Sequence, residues 1–402
     1  MTSLPVAMPA SNAPPRPGTT AAPGRVRGGG GRGGHLPAVD VVRFLTIAGV
    51  VAVHITSLTV GTTARGAVTA GAFLSVLHVT REVFVFLTAF VLAYRHREVG
   101  IVPVPFWRRR YPLVLVPYAA WTLIYVLADG RLDSLATAGR TLLVDLATGQ
   151  ARFHLYFLLL TFQMYAVLPW VLRWVRSAPP RRLLAVSAAA ELAFCAGTHY
   201  WTSAPGVVGT VLRHSGSWLW SYQLYFLAGV VAAVHLEAAT GWVRSHGRLI
   251  AAAALVALAI GLGGYYLDLH VAGMTPLRAS EVLQPTVVVE SIAAIAAQYA
   301  AGLWVTDRIA SRSRARLLAV SDASFGVYLA HPLLLQGLVD LAVVIGLAGA
   351  LGHLAPLLQM VLVLVVAVPG LYLVSGALVA LARRTPASLA LAGRRASSRS
   401  AS

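Results

Sequence analysis

Ten apolar stretches, separated by short polar segments, constrain the fold of this chain more than any other feature. Each is long enough to approach or cross the hydrocarbon core of a bilayer, for which an α-helix needs about 20 residues. The sequence therefore predicts an all-α fold, a polytopic transmembrane bundle of about ten helices. The stretches lie near residues 39–60, 72–94, 112–128, 153–172, 183–201, 217–236, 249–267, 285–305, 320–345 and 355–381. The third is the shortest of these and contains Pro112 and Pro117.

The composition supports a membrane protein and argues against a nucleic-acid binder. Of the 402 residues, 57% are hydrophobic and 11% are charged, whereas soluble domains carry roughly 25% charged residues. The formal charge of +18 comes from arginines in short segments between apolar runs, not from one basic domain of the kind that binds nucleic acid. The single cysteine, Cys195, lies in an apolar run, which leaves no disulfide framework or thiol metal site.

The arginines predict the orientation of the helices, because cytoplasmic loops are enriched in positive residues. Of the 32 arginines, 25 fall on the side that carries both termini and 7 on the other side. Both termini are therefore expected in the cytoplasm, with the longest outer loop near 129–152. The use of arginine without lysine and the abundance of Ala, Gly and Val indicate a GC-rich genome, and we expect a multi-pass protein of the bacterial plasma membrane.

Three regions are predicted along the chain. Residues 1–37 are rich in Pro, Gly, Ala and Arg and lack the apolar core of a signal peptide, so they are expected to form a disordered cytoplasmic tail. Residues 38–382 form the ten-helix domain. Residues 383–402 are expected to be a short, polar cytoplasmic tail. The chain shows no internal repeat and no matched broken helices, which counts against a transporter.

Ionisable side chains inside apolar spans are candidates for function because they are expensive to bury. The most informative is His54 in the first stretch, eleven positions after Arg43. This spacing places both on one helix face, about 16 Å apart. One face can then hold an anionic donor at the cytoplasmic end and present a neutral imidazole, a general base, deeper in the membrane. Inter-helix packing is the alternative role for His54.

A second intramembrane histidine, His331, lies in the segment 319–336 and is followed by Pro332. Its companions Ser324, Gly326 and Tyr328 are typical of a closely packed helix with polar groups on its inner face. A structural role for this segment is at least as well supported as a catalytic one.

Two further groups lie at the predicted outer surface. His154 and Tyr156 open the fourth stretch, where aromatic residues usually anchor a helix at the interface. The position of His154 also suits contact with an acceptor from outside. Arg81 and Glu82 are adjacent opposite charges in the second stretch, and a partly solvated interfacial pair is the simplest interpretation.

Three consecutive arginines, Arg108, Arg109 and Arg110, precede the third stretch. They fit a positive-inside anchor, and they also suit the phosphates of a nucleotide cofactor, because arginine favours bidentate phosphate contacts. Glu191 and Glu290 lie within spans and are free to pair with a histidine or an arginine. Zinc spacings, nucleotide-binding glycine motifs and serine elbows are absent from the sequence, so no metal site is predicted.

The order of the segments resembles the acyltransferase-3 family of integral membrane acyltransferases across most of residues 36–381. In the first helix, LPAVDVVRFLTIAGVVAVHI, ten residues separate an arginine from a histidine, and this spacing is similar to that of the family. Each motif is short, and the order in which they occur makes the resemblance specific. The other matching motifs are REVFVFLTAFVLAY (81–94), FWRRRYPLVLVPYAAWTLIY (106–125), FHLYFLLLTFQMYAVLP (153–169), YFLAGV (225–230) and SFGVYLAHPL (324–333).

This resemblance implies an O-acyltransferase that moves an acyl group, with acetyl expected, from cytoplasmic acyl-coenzyme A to a hydroxyl of a sugar, glycan or related acceptor. Acyl-coenzyme A is then a co-substrate, with no tightly bound cofactor. By analogy His54 is catalytic, Arg43 and the three arginines at 108–110 hold the donor, and the acceptor contacts are assigned to Arg81, His154, Tyr328 and His331.

The sequence departs from the family pattern in two places. Many members carry two arginines separated by two residues before the third helix, whereas Leu113 stands three positions after Arg110 here. Glu82 and Val83 occupy the place of a proline often found after Arg81. A transporter or exporter of a small molecule is the alternative function, and a scaffold ranks below both. Direct transfer and a covalent acyl-histidine route both remain open.

Overall fold

Helices and the loops that join them, without strands, build the part of the chain that the structure, a computed structural model, describes: residues 35–131, 135–201, 206–213 and 215–394. Most of the predicted amino-terminal tail, residues 1–34, and residues 395–402 of the predicted carboxyl tail lie outside the described residues. The α-helices are α1 (Pro37–Leu58), α2 (Ala67–Leu77), α3 (Val79–Tyr94), α4 (Pro103–Ala128), α5 (Leu135–Thr148), α6 (Tyr156–Ser177), α7 (Pro180–Tyr200), α8 (Gly206–Arg213), α9 (Gln223–Val234), α10 (Leu236–Ser245), α11 (Gly247–His270), α12 (Pro276–Ala279), α13 (Pro285–Arg308), α14 (Ser311–Val344), α15 (Leu347–Gly352), α16 (Pro356–Leu362), α17 (Val368–Ala382) and α18 (Ser388–Ala392). Short 3-10 turns cover Val60–Thr62, Ser215–Ser217 and Leu219–Tyr222, and a π-helical turn, Val363–Ala367, joins α16 to α17.

Nine helical segments of the described chain are long and apolar enough to cross a membrane. A tenth span is completed if Leu219–Val234 and Leu236–Ser245, which meet at an angle of 96°, are counted together. The prediction of about ten transmembrane helices is therefore confirmed. The bend separates α9, which crosses the bundle, from α10, which turns aside at its end.

Three spans begin clearly earlier than the hydrophobic pattern predicts, and one of them is α14, which starts at Ser311 and not near residue 320. The third span is α4, with 26 residues, so it is not the shortest, and it starts at Pro103 because proline is well suited to the first turn of a helix. Arg108, Arg109 and Arg110 are therefore part of a helix. The second span runs over Ala67–Tyr94, with α2 and α3 separated only at His78.

Close helix packing depends on glycines at two crossings. A Cβ atom at Gly229 would lie 2.4 Å from the carbonyl oxygen of Phe86, so α9 approaches the backbone of α3 directly. A Cβ at Gly49, one turn before His54, would lie 2.5 Å from the methyl group of Thr80. Small residues let membrane helices approach in this way, and Gly49 brings the His54 region of α1 against α3.

The proline inside α14 is supported by polar side chains of the bundle. Pro332 has no N–H to donate, which weakens the helix around it. The Tyr125 hydroxyl donates to the carbonyl of Leu329 at 2.7 Å, and a ring nitrogen of His331 lies 3.1 Å from the carbonyl oxygen of Val327. Neighbouring side chains satisfy backbone groups near membrane prolines in this manner, and here they fix the orientation of His331.

After α17 the chain turns back towards the bundle, and residues 388–394 pack on α4 and α14. The indole N–H of Trp121 donates to the carbonyl of Leu391 at 3.2 Å. Arg394 forms an ion pair with Asp322, and the ring of Phe325 lies against Gly393. The described part of the segment predicted as a polar tail therefore contributes to the helical bundle.

Candidate active site

A small cavity of about 60 Å³ contains the histidine that the sequence singles out. We call it the histidine cavity. It forms where α1, the α2–α3 span, the start of α6 and α14 meet. Its walls are Val50, Val53, His54, His78, Thr80, Arg81, Phe84, Phe153, His154, Tyr156, Phe157 and Tyr328. Four of the sequence-predicted site residues, His54, Arg81, His154 and Tyr328, thus come together from four segments of the chain.

Three imidazoles form a chain of ring contacts at this cavity, with His331 between the other two. The ring of His54 stacks on that of His331 with centroids 5.4 Å apart, and His331 contacts His154 at 5.6 Å. His54 is half-buried, whereas His154 and His331 are 2% and 0% exposed. His54 is therefore the imidazole of the three that a substrate in the cavity can reach.

The two buried histidines have unused hydrogen-bonding capacity. Within the described residues, no hydrogen-bond partner is found for either ring nitrogen of His154 or for Nε2 of His331. Buried polar atoms are nearly always paired, so exceptions point to function. The Tyr328 hydroxyl donates to the backbone carbonyl of His154, which ties α14 to the loop before α6 at the cavity wall. In the described part of the chain, no group of three or more His, Cys, Asp or Glu side chains has the arrangement of a metal site.

Arg81 supplies the positive charge of the histidine cavity. Its guanidinium donates to the Tyr222 hydroxyl at 2.9 Å and lies over the ring of Tyr156, 5.3 Å from its centroid. Glu82 does not pair with it: this carboxyl is 1% exposed, and one of its oxygens has no partner among the described residues. The prediction of a partly solvated Arg81–Glu82 pair is wrong, because Arg81 is the fifteenth of 28 residues in its span and not at the interface.

A second cavity, larger than the first at about 210 Å³, lies between α3, α4, α6 and α14. We call it the arginine cavity. Its walls are Phe84, Thr88, Arg110, Leu113, Val114, Phe157, Leu158, Thr161, Tyr165, Phe325, Tyr328 and Gly393. Arg110 is half-buried here, whereas Arg108 and Arg109 are exposed. Leu113, at the place of the family's second arginine, faces the same cavity.

Arg43 links α1 to α14 at the end of the bundle that carries Arg110. Its guanidinium donates to the Ser321 hydroxyl at 2.8 Å and to Asp40 at 3.4 Å. The Ser321 hydroxyl donates in turn to Asp40 at 2.7 Å. The structure therefore places Arg43 in a polar cluster, about three helical turns from His54 along α1, and does not bring the two side chains together.

Arg95, which the sequence analysis did not single out, adds positive charge near the arginine cavity. It is exposed and close enough to interact electrostatically with both Arg43 and Arg110. Burial, followed by the charges of Arg110 and Arg95, lowers the pKa of the nearby His96 imidazole in the loop after α3. The signal for Arg95 in the sequence was its place in the loop predicted to be the first on the cytoplasmic side.

Glu191 and Glu290, the two carboxyls that the sequence analysis placed within spans, pair with no histidine or arginine among the described residues. Glu191 accepts from the side chain of Gln223 at 3.0 Å and from the backbone N–H of Leu224 at 3.1 Å, so it caps the start of α9. Glu290 packs against Gly261 of α11.

Of the cavity residues that the sequence analysis missed, His78 had a detectable signal, since it is an ionisable residue three positions before Arg81 in an apolar stretch.

The fold and the cavities together define a polytopic membrane protein with a cluster of ionisable side chains enclosed by its helices. The chain belongs to the acyltransferase-3 family: the family model, described as an acyltransferase domain, matches residues 36–376. It is accordingly a membrane acyltransferase. No curated protein and no solved structure matches the chain.

Proposed function

We propose that this protein transfers an acetyl group from cytoplasmic acyl-coenzyme A to a hydroxyl of a sugar or glycan on the other side of the bundle. The observation that carries the proposal is the placement of a reachable imidazole, His54, and an arginine, Arg81, on the walls of one cavity. Family membership supplies the reaction class. The donor, the acyl group and the acceptor are the parts we propose.

Acyl transfer to a hydroxyl needs a base and a positive charge, and the histidine cavity contains both. His54 takes the proton of the acceptor hydroxyl as its oxygen attacks the thioester carbonyl. A carbon–oxygen bond forms, the carbon–sulfur bond breaks, and the proton passes to the coenzyme thiolate. Arg81 stabilises the negative charge that develops on the carbonyl oxygen. In the covalent variant His54 carries the acyl group between the two partners.

Donor binding is assigned to the end of the bundle with Arg43, Arg95 and Arg110. Guanidinium groups bind phosphates through charge-assisted hydrogen bonds, and Arg110 lines a cavity that leads inward from this end. Arg108 and Arg109 are exposed on the same helix and attract the anionic donor to the surface.

The size of the histidine cavity favours a small acyl group. Its volume of about 60 Å³ equals that of roughly two water molecules at about 30 Å³ each, so a short acyl group such as acetyl suits it better than a long chain. Phe153 is 41% exposed and its ring lies 4.3 Å from that of His54. An accessible aromatic ring next to unpaired imidazoles suits an acceptor with both apolar and hydroxyl-bearing faces, such as a sugar.

The test is transfer of radiolabelled acetyl from acetyl-coenzyme A to extracted envelope glycans by the purified protein. His54→Gln keeps hydrogen bonding but removes basicity, and the rate is expected to fall about a hundredfold or more. His353→Gln, at an exposed histidine outside both cavities, is the matched control and should retain wild-type transfer. Near-native transfer by His54→Gln would move the catalytic assignment to His331. Substrate flux across sealed vesicles without covalent change would instead favour the transporter.

A further inference from the structure

Three aromatic side chains, Phe84, Phe157 and Tyr328, line both the histidine cavity and the arginine cavity. They are the residues common to the two linings. Their rings contact one another: the centroids of Phe84 and Phe157 are 4.7 Å apart, those of Phe84 and Tyr328 are 5.7 Å apart, and those of Phe157 and Tyr328 are 6.2 Å apart. A wall one side chain thick therefore separates the two spaces. We call these three rings the aromatic partition.

The helices that carry the partition run past both cavities. On α3, Arg81 lines the histidine cavity, Phe84 lines both, and Thr88 lines the arginine cavity. This spacing of three and four residues keeps all three on one helix face. On α14, Phe325 lines the arginine cavity and Tyr328 lines both. The cavities are thus successive levels of one path along the bundle, closed at the level of the rings.

The three rings are not held equally. The Tyr328 hydroxyl is bonded to the carbonyl of His154, and Phe157 is 6% exposed. Phe84 is half-buried, and its side chain has no polar group to tether it. Rotation of the Phe84 side chain is therefore the smallest movement that joins the cavities.

We propose that Phe84 is the movable part of the partition and limits the size of the acyl group that passes from the arginine cavity to His54. This inference rests on the proposed function, because it takes the donor to enter at Arg110. A thioester end with a short acyl group displaces one ring, whereas a longer chain must displace the tethered Tyr328 or the buried Phe157 as well. The partition also keeps the two sides of the membrane from joining through the bundle when no donor is bound.

The first experiment compares acetyl- and hexanoyl-coenzyme A as donors. Phe84→Ala should raise kcat/KM for hexanoyl relative to acetyl at least about tenfold, since pocket size discriminates by methylene groups, and Phe84→Trp should lower it. Phe84→Leu, a milder change, stands in if the alanine variant does not fold. Phe86→Ala is the matched control, because Phe86 lies on the same helix but lines a different, apolar cleft. Acetyl transfer with an unchanged ratio in all Phe84 variants would overturn the inference and leave the proposed function intact.

The second experiment does not depend on activity. Val53 lines the histidine cavity, and Cys195 is the single native cysteine, so Val53→Cys in a Cys195→Ala background gives one reporter thiol. In sealed vesicles a membrane-impermeant maleimide applied on the arginine-cavity side should label it slowly with Phe84 present and faster with Phe84→Ala, because the alanine removes the ring that closes the path. Equal labelling with and without Phe84 would refute the partition. A wild-type protein that transfers no acyl group would refute the proposed function, while the labelling result would still decide the partition.

Discussion

At the scale of single residues, accessibility separates side chains of the same type. His331 contacts both His54 and His154, but of the three only His54 is half-buried, whereas the other two are fully buried. The same holds for the arginines of α4, where Arg110 enters a cavity and its neighbours face outward. A consecutive run of one residue type on a helix points in several directions, about 100° apart, so its members have different roles.

Arg110→Ala is expected to weaken donor binding more than Arg109→Ala. Truncating a charged hydrogen-bonding partner removes about 1.5–3 kcal/mol, which corresponds to a rise in the donor KM of roughly tenfold to a hundredfold. Arg109 is exposed on the same helix, and its loss should change KM by less than about threefold, because surface charges contribute little. Steady-state kinetics with acetyl-coenzyme A measure both. Equal effects of the two variants would place the donor on the surface and outside the arginine cavity.

At the scale of helices, contact between α3 and α9 depends on the absence of a side chain at Gly229. This contact sets the position of the helix that carries Arg81 and Phe84, since the carbonyl of Phe86 lies directly against α9. Other glycines of the described helices face open space, among them Gly263 of α11. The two glycines therefore serve as a matched pair for testing whether close packing supports the site.

Gly229→Ala should lower the melting temperature of the purified protein, because the added Cβ would overlap the Phe86 carbonyl, and overpacking costs about 1–3 kcal/mol. Gly263→Ala should leave stability unchanged or raise it, since alanine is favoured over glycine in a helix by roughly 0.5–1 kcal/mol. Thermal unfolding in detergent, followed by the loss of monodisperse protein, measures both. A melting temperature of Gly229→Ala as high as that of Gly263→Ala would contradict the packing argument.

The sequence was sufficient for the fold class and for several of the cavity residues. Apolar length located the spans, because the bilayer sets that length, although α4 and α14 begin well before the predicted stretches, at Pro103 and Ser311. The cost of burying ionisable groups singled out His54 and His331. It could not show that Arg110 faces a cavity whereas Arg108 does not, because that depends on the rotation of α4 within the bundle. Phe84 and Phe157 were missed because buried aromatic residues in a membrane helix carry no signal that distinguishes lining from packing.

At the scale of the whole molecule, orientation relative to the membrane decides which substrate meets which cavity. The structure fixes that Arg43 and Arg110 lie towards one end and His54 and Arg81 towards the other, while the arginine distribution assigns the first end to the cytoplasm. We therefore expect the donor and the acceptor to approach from opposite sides of the bilayer.

Reporter fusions test this topology. Residues near 178 and 311 are expected inside and residues near 140 and 278 outside, because 25 of the 32 arginines lie on the first side. An enzymatic reporter active only in the cytoplasm and one active only outside it give complementary signals at each site. The opposite pattern at any two of the four sites would defeat the ten-helix orientation.

The packing of residues 388–394 has a consequence for the biogenesis of the protein. Gly393 contributes to the wall of the arginine cavity, although it follows the last span, Pro356–Ala382. The candidate spans described above are therefore all synthesised before the segment that completes this wall. A chain shortened before residue 388 would keep these spans, yet its arginine cavity would lack part of its wall, so the cavity is complete only after the segment that follows the spans has been made.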